Sequence, residues 1–489
     1  MSGSHSLSQA PVEASAEAPH AAEPAAAAAA PAASGHARSD LFDGLRGLAI
    51  ILVLLHHTWI IAPVADIESD AARRLLAMGN YAVSLFLVLG GFLAARSMLR
   101  THATSGTLRF GVVTIRRWLR LAPQVYALIL VLALLTALDP WMDIYDTQNL
   151  PASARAVATF TWLGYLRTHI DSRTDLGHLW YVSADLWGIA LVAFIIYLTA
   201  RWRPGLVMAL VGLIAFSMWF RSWSVVHEVT WVTMLRFEVR VDSLLWGALA
   251  AAILPWLEPL RGRITGVAAT SLALMAPLLF WGATVPNYLG IGATFFNILA
   301  FTLVLGVSLE KPGRILSAWL GSRVLVWMGG LAFTLYVWHY PIWFYIGQNF
   351  PRFAWPGDGV WPWGLRVAFG YALAFAVALL ARRVIDPRAQ QWLDSPRWRE
   401  LDAGLLPFLG SRPRVWWSRW RHQGARRNDL SPAAADAEAV APLPAAADPV
   451  QEATETLTRE THAPEESGPQ GSGPQGSGPQ ESGQQTPTH

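Results

Sequence analysis

Cysteine is absent from all 489 residues. That excludes disulfides, thiolate metal sites and a cysteine-bound acyl intermediate. No metal is expected. Charge is also scarce: Asp, Glu, Lys and Arg make up 15% of the chain, against about 25% in globular proteins. With 53% hydrophobic residues, 25 tryptophans and a mean hydropathy of +0.33, this deficit points to a polytopic membrane protein. No basic stripe of the nucleic-acid type is present. The net charge is only +3, and the pI near 9.3 reflects arginine-rich loops and tail. The N-terminal stretch "AAEPAAAAAAPAASG" lacks the apolar core of a signal peptide.

The two ends differ from the middle. Residues 1–39 read as a disordered cytoplasmic arm, and 428–489 as a disordered tail ending in the repeat "SGPQGSGPQGSGPQ". The segment 386–427 mixes tryptophan with arginine, as in "RPRVWWSRWRHQGARR". That composition suits a stretch lying on anionic headgroups, though a solvated basic linker fits as well.

The middle, 40–385, holds about ten apolar runs, each near the 20 residues that cross a bilayer. They fall at roughly 46–65, 79–98, 120–138, 179–200, 205–220, 232–254, 264–282, 289–308, 324–346 and 363–381; the fifth is short. The predicted fold is therefore an all-α, polytopic membrane helix bundle. Arginines cluster in 96–120 and recur at Arg201, Arg203, Arg261, Arg263, Arg314, Arg323, Arg382 and Arg383, all on one side. The positive-inside rule then puts both termini in the cytoplasm of a plasma-membrane protein and the 139–178 connection outside.

Ionisable residues inside these runs are costly, so each is a candidate for function. In "LFDGLRGLAIILVLLHH", Arg46 and His57 are eleven residues apart, close to three helical turns. They share a face with Asp43, whereas His56 points about 100° away. His57 would lie roughly 16 Å deeper than Arg46, near mid-membrane. A neutral histidine there can take a proton from an approaching hydroxyl; a structural histidine bonded to a neighbouring helix would occupy the same place. "IRRWLRLAPQVY" sets Arg116 and Arg120 on one face, where guanidinium forks suit phosphate or simply anchor the span. "HLWYVSADLWG" carries His178, Trp180 and Asp185. "LRFEVRVDSLLWG" stacks Arg236 over Arg240 and Glu238 over Asp242, so their partners must lie on other helices, in water or on a substrate. In "LYVWHYPIW", Pro341 follows His339 and should kink or end a helix and free a carbonyl.

Together these segments resemble the acyltransferase-3 family of integral membrane O-acyltransferases, over about 40–385. The opening segment resembles the family's Asp-Gly-x-Arg followed by a histidine eleven residues later. "SLFLVLGGFLAARSM" resembles its Phe-Phe-x-x-Ser-Gly-Phe-Leu, and "IRRWLRLAPQVY" its Arg-Arg-x-x-Arg-x-x-Pro. "LWYVSADLW" resembles Trp-x-x-x-x-Asp/Glu, "RVDSLLWGALAA" Arg-x-Asp-x-Leu-x-x-Gly, and "GGLAFTLYVWHYPI" the late Tyr-Leu-x-His-x-Pro motif. The six stand in the family's order.

The resemblance implies acyl transfer, often of acetyl, from a cytoplasmic acyl-CoA to a hydroxyl of a sugar, lipid or antibiotic-like molecule. It implies that His57 is the essential membrane histidine, with Arg46 and Asp43 beside it, and that Arg116, Arg117 and Arg120 hold the CoA phosphates. Trp180, Asp185, Arg240, Asp242 and His339 are expected as substrate-facing or structural polar residues. Two departures stand out: Gly90 occupies the family's usual Ser position, and Asp185 replaces the commoner Glu. A transporter or flippase would use the same buried charges as a path, but no pair of Gly/Pro-broken spans repeats in two halves. A catalytically inert scaffold is opposed by the presence of His57, Arg46 and Arg116.

Overall fold

The computed structural model describes residues 30–61, 74, 78–106, 108–138, 149–281, 284–309, 313–348, 360–393 and 395, with side chains from residue 40 onward. The expectations for the arm before residue 30, for the Arg412–Arg427 segment and for the repeat tail lie outside the described residues. Among the described residues the chain is helical, with no strand. The longer helices are α1 (Ala30–His57), α2 (Gly79–Ser105), α3 (Phe110–Leu138), α4 (Trp180–Thr199), α5 (Arg203–His227), α6 (Phe237–Leu257), α7 (Val267–Trp281), α8 (Ala293–Leu309), α9 (Arg323–Gln348) and α10 (Val360–Leu393).

Eight helical stretches among the described residues are long and apolar enough to cross a membrane. α9, which meets the Arg314–Leu320 helix at a 45° bend, makes a ninth if the bent pair is one span, and α7 is a shorter apolar helix at the remaining place among the ten expected. Side chains such as Leu130, Leu134, Met208, Trp219 and Leu274 are exposed on the bundle's exterior, where a bilayer would bathe them.

The fifth span is longer than its hydropathy suggests. The apolar run stops at Arg221, yet α5 continues to His227, because Arg221 is buried against Asp242 at 2.6 Å. A paired charge does not end a span. The sixth span opens with a short helix, Thr230–Met234, before α6; at the junction Arg236 sits in extended backbone and pairs with Glu228 at the end of α5. The connection before α4 folds, from residue 149, into two short helices, Leu150–Ala158 and Trp162–Thr168, and a 3-10 turn, Thr174–Leu179. Its Arg173 is not a free loop charge but a buried partner of Asp175 at 2.6 Å.

Glycine fixes the contact on which the site depends. A Cβ at Gly47 would stand 2.0 Å from the Leu325 carbonyl oxygen, and one at Gly329 would stand 1.9 Å from that of Asp43. The backbones of α1 and α9 therefore touch, as small residues allow between membrane helices. Gly44 lies against Leu320 and Gly347 against Ile60, so the two helices run parallel. Seven candidate spans precede α9 among the described residues, so a parallel α9 that also spans would need the shorter α7 to cross as well.

Candidate functional site

The parallel packing of α1 on α9 brings His57 to His339. His57 is the last α-helical residue of α1 and is half-buried; His339 is fully buried. His339 Nδ1 lies 2.8 Å from the Leu335 carbonyl, which can only accept, so that nitrogen carries the proton. In a neutral ring His339 Nε2 is then the acceptor, and it lies 3.0 Å from His57 Nδ1. His57 Nδ1 therefore donates. Its Nε2 is left with the lone pair of a base.

Pro341 does not end the helix: α9 runs on to Gln348. Its missing N–H frees the Val337 carbonyl four residues back, and His178 Nε2 donates to that carbonyl at 3.1 Å. The freed carbonyl thus acts as a clamp rather than a break. His178 Nδ1 is buried with no hydrogen-bond partner among the described residues. The His178 ring stacks on Tyr340 at 4.7 Å, and Tyr340 meets His57 edge-on at 5.0 Å. His56 turns elsewhere, its imidazole filling the space that a side chain at Gly79 would need.

A cavity of about 820 Å³ opens among α1, α2, α3, α4 and α9. Arg46, Arg109, Arg116, Arg117 and Arg120 border it, with Tyr181, Asp185 and Tyr336 also in its wall. Guanidinium groups gathered at one cavity can bind a polyanion. Arg46 is held by Asp43 at 2.6 Å, with both side chains partly exposed. Arg117 is engaged by the protein: its Nε and Nη2 both donate to Asp185 Oδ2, at 2.8 and 2.6 Å. Arg116 and Arg120 are the i,i+4 pair anticipated on one face. No histidine of the cluster lines the cavity. Tyr336 connects the two regions: it borders the cavity, donates from its hydroxyl to the His178 carbonyl, and lies 5.9 Å from the His339 ring.

Arg240 and Asp242 belong elsewhere. Arg240 donates to the Tyr288 hydroxyl and to Asn80, and its guanidinium lies 4.6 Å from the Trp180 ring. Asp242 accepts from Arg221 and Asn297. Of the three places expected for their partners, these lie on other segments of the bundle, although Arg236, outside α6, does not stack on Arg240. Sequence reasoning selected His57 and His339 separately, without their contact, and gave His178 no role of its own. It missed Tyr336, Tyr340 and Arg221. The signal for His178 was Pro341, whose orphaned carbonyl needs a donor; aromatic residues in a Trp-rich chain give no comparable signal.

Residues 40–383 match the Acyltransferase domain family model of acyltransferase-3 proteins. The chain belongs to this acyltransferase family. It is 25% identical over 372 residues to the peptidoglycan O-acetyltransferase OatA of Listeria monocytogenes, covering 70% of this chain and 54% of that protein. It is 23% identical over 321 residues to the O-acetyltransferase OatA of Staphylococcus aureus strain NCTC 8325, covering 61% and 50%. The chain thus spans about half the length of the curated relatives it matches. No solved structure matches it.

Proposed function

We propose that this chain is a plasma-membrane O-acyltransferase that moves an acyl group, most simply acetyl, from a cytoplasmic acyl-CoA to the hydroxyl of a carbohydrate, lipid or small-molecule acceptor. The observation that carries the proposal is the hydrogen-bond chain from the Leu335 carbonyl through His339 to His57, which leaves His57 Nε2 as a proton acceptor. The arginine-bordered cavity supports the donor assignment, with Arg116 and Arg120 on the phosphates and Arg46 on the path inward. Positive-inside places that cavity, and both termini, on the cytoplasmic side.

In this scheme the acceptor oxygen attacks the thioester carbonyl while its proton passes to His57 Nε2. The C–S bond breaks, and the imidazolium returns the proton to the departing thiolate. Atoms and charge balance with no enzyme-bound acyl group. Gly90 supplies no hydroxyl and the chain no thiol. Burial of His178 and His339 limits the water that would otherwise compete for the thioester.

The test is purified protein in liposomes with labelled acetyl-CoA on the cytoplasmic side and candidate acceptors on the other. Label should reach hydroxyl acceptors only when protein and acetyl-CoA are both present. Protein-dependent movement of unmodified acceptor without acyl transfer would replace this reading with transport.

A further inference from the structure

Asp185 is 1% exposed, and Arg117 satisfies only its Oδ2; Oδ1 is buried without a hydrogen-bond partner among the described residues. An unpaired carboxylate oxygen in a dry site is costly unless a ligand completes it. The approach to Oδ1 is from Gly90. A Cβ built there would stand 3.4 Å from Oδ1 and meet nothing else within 4 Å. Gly90 and Asp185 both border the cavity. The glycine keeps open a space beside an acceptor that lacks a donor.

The order of groups along the cavity suggests what fills that space. Arg116 and Arg120 lie toward the start of α3, and Asp185 is reached through Arg117 on the same helix. One turn from Asp185 along α4, Tyr181 touches Tyr336 at 5.1 Å, and Tyr336 touches His178 and His339. The sequence is cations, lone carboxylate oxygen, then histidines. A CoA thioester presents phosphates, then secondary amides, then the reacting carbonyl.

We propose that Asp185 Oδ1 accepts a hydrogen bond from an amide N–H of the donor's pantetheine arm, through the opening that Gly90 leaves. This inference rests on the acyl-CoA reading. Serine at position 90 would place a hydroxyl where the amide belongs and close the site from within. Gly90→Ser leaves the Arg117–Oδ2 contact untouched, which separates loss of the acceptor from loss of the arginine.

The experiment measures binding of CoA, and of 3′,5′-ADP, which lacks the arm, to the full-length purified protein by calorimetry. Melting temperatures are recorded for each variant. Gly90→Ser and Asp185→Asn should weaken CoA binding about tenfold or more, the scale of a lost hydrogen bond to a charged group. Binding of 3′,5′-ADP should be unchanged in Gly90→Ser. If Gly90→Ser raises the melting temperature but keeps wild-type CoA affinity, the vacancy is merely structural and the proposal fails, while the acyl-CoA reading stands. Weakening of both ligands by Asp185→Asn, with neither weakened by Gly90→Ser, also overturns it. A wild-type protein that binds neither ligand would remove the donor reading itself.

Discussion

Arg221–Asp242 and Arg117–Asp185 are the same kind of pair, each an arginine 2.6 Å from a carboxylate inside the bundle. Their surroundings differ. Arg221 and Asp242 are 3% and 2% exposed, Thr294 and Asn297 add further hydrogen bonds, and neither charge borders the cavity. Arg117 is 27% exposed, Asp185 keeps one oxygen unpartnered, and both border the cavity. The rule that intramembrane charge signals function selects Asp185 and Asp242 alike from sequence without separating them, and passes over Arg221. Geometry separates them: one pair joins α5 to α6, and the other leaves hydrogen-bonding capacity for a ligand.

The Arg221–Asp242 pair is structural. Arg221→Leu strands the Asp242 carboxylate and should cost about 3–5 kcal/mol of stability, read as a large fall in melting temperature. The double variant Arg221→Leu/Asp242→Leu should recover most of it, because two apolar groups strand nothing. A stable Arg221→Leu protein that has lost only donor binding would make this pair a site after all.

His339→Ala removes the acceptor that orients His57 Nδ1. Turnover should fall by up to about 10²-fold, within the usual worth of a general base, with the donor KM little changed. An unchanged kcat would mean that the His339 contact does not set the tautomer of His57.

Much of this was legible in the sequence. Arg46 and His57 share a face because eleven residues are close to three turns, and the helix-bundle fold with eight or nine of its spans needed only hydropathy and length. The contact between His57 and His339 was not legible, because 282 residues separate them. It depends on Gly47 and Gly329 letting two backbones touch. Glycines in apolar runs are common, and no sequence pattern says which face which. The fifth span was cut short for a related reason: Arg221 reads as a boundary until its partner on α6 is seen.

Arg116 and Arg120 on the cavity wall give a smaller effect. Arg116→Lys/Arg120→Lys keeps the topogenic charge but loses the planar fork. The donor KM should rise severalfold with kcat and membrane insertion unchanged; unchanged kinetics would return these residues to anchoring the span.

The smallest effect belongs to Glu228, between spans, whose carboxyl is held below its ordinary range chiefly by the hydrogen bond from Arg236. A carboxylate with a depressed folded pKa stabilises above its unfolded pKa and loses that contribution as pH falls through the folded value. Glu228→Gln should therefore melt slightly below wild type at neutral pH, and the difference should vanish on acidification. A gap that persists in acid would assign it to packing.

If His57 is the base, the transfer rate of His57→Ala shows it most directly, in liposomes supplied with labelled acetyl-CoA and an acceptor that the wild type uses. His57→Ala should insert normally and lose about 10²–10⁴ in rate, while His56→Ala stays close to wild type. Near-normal turnover by inserted His57→Ala protein would contradict that role.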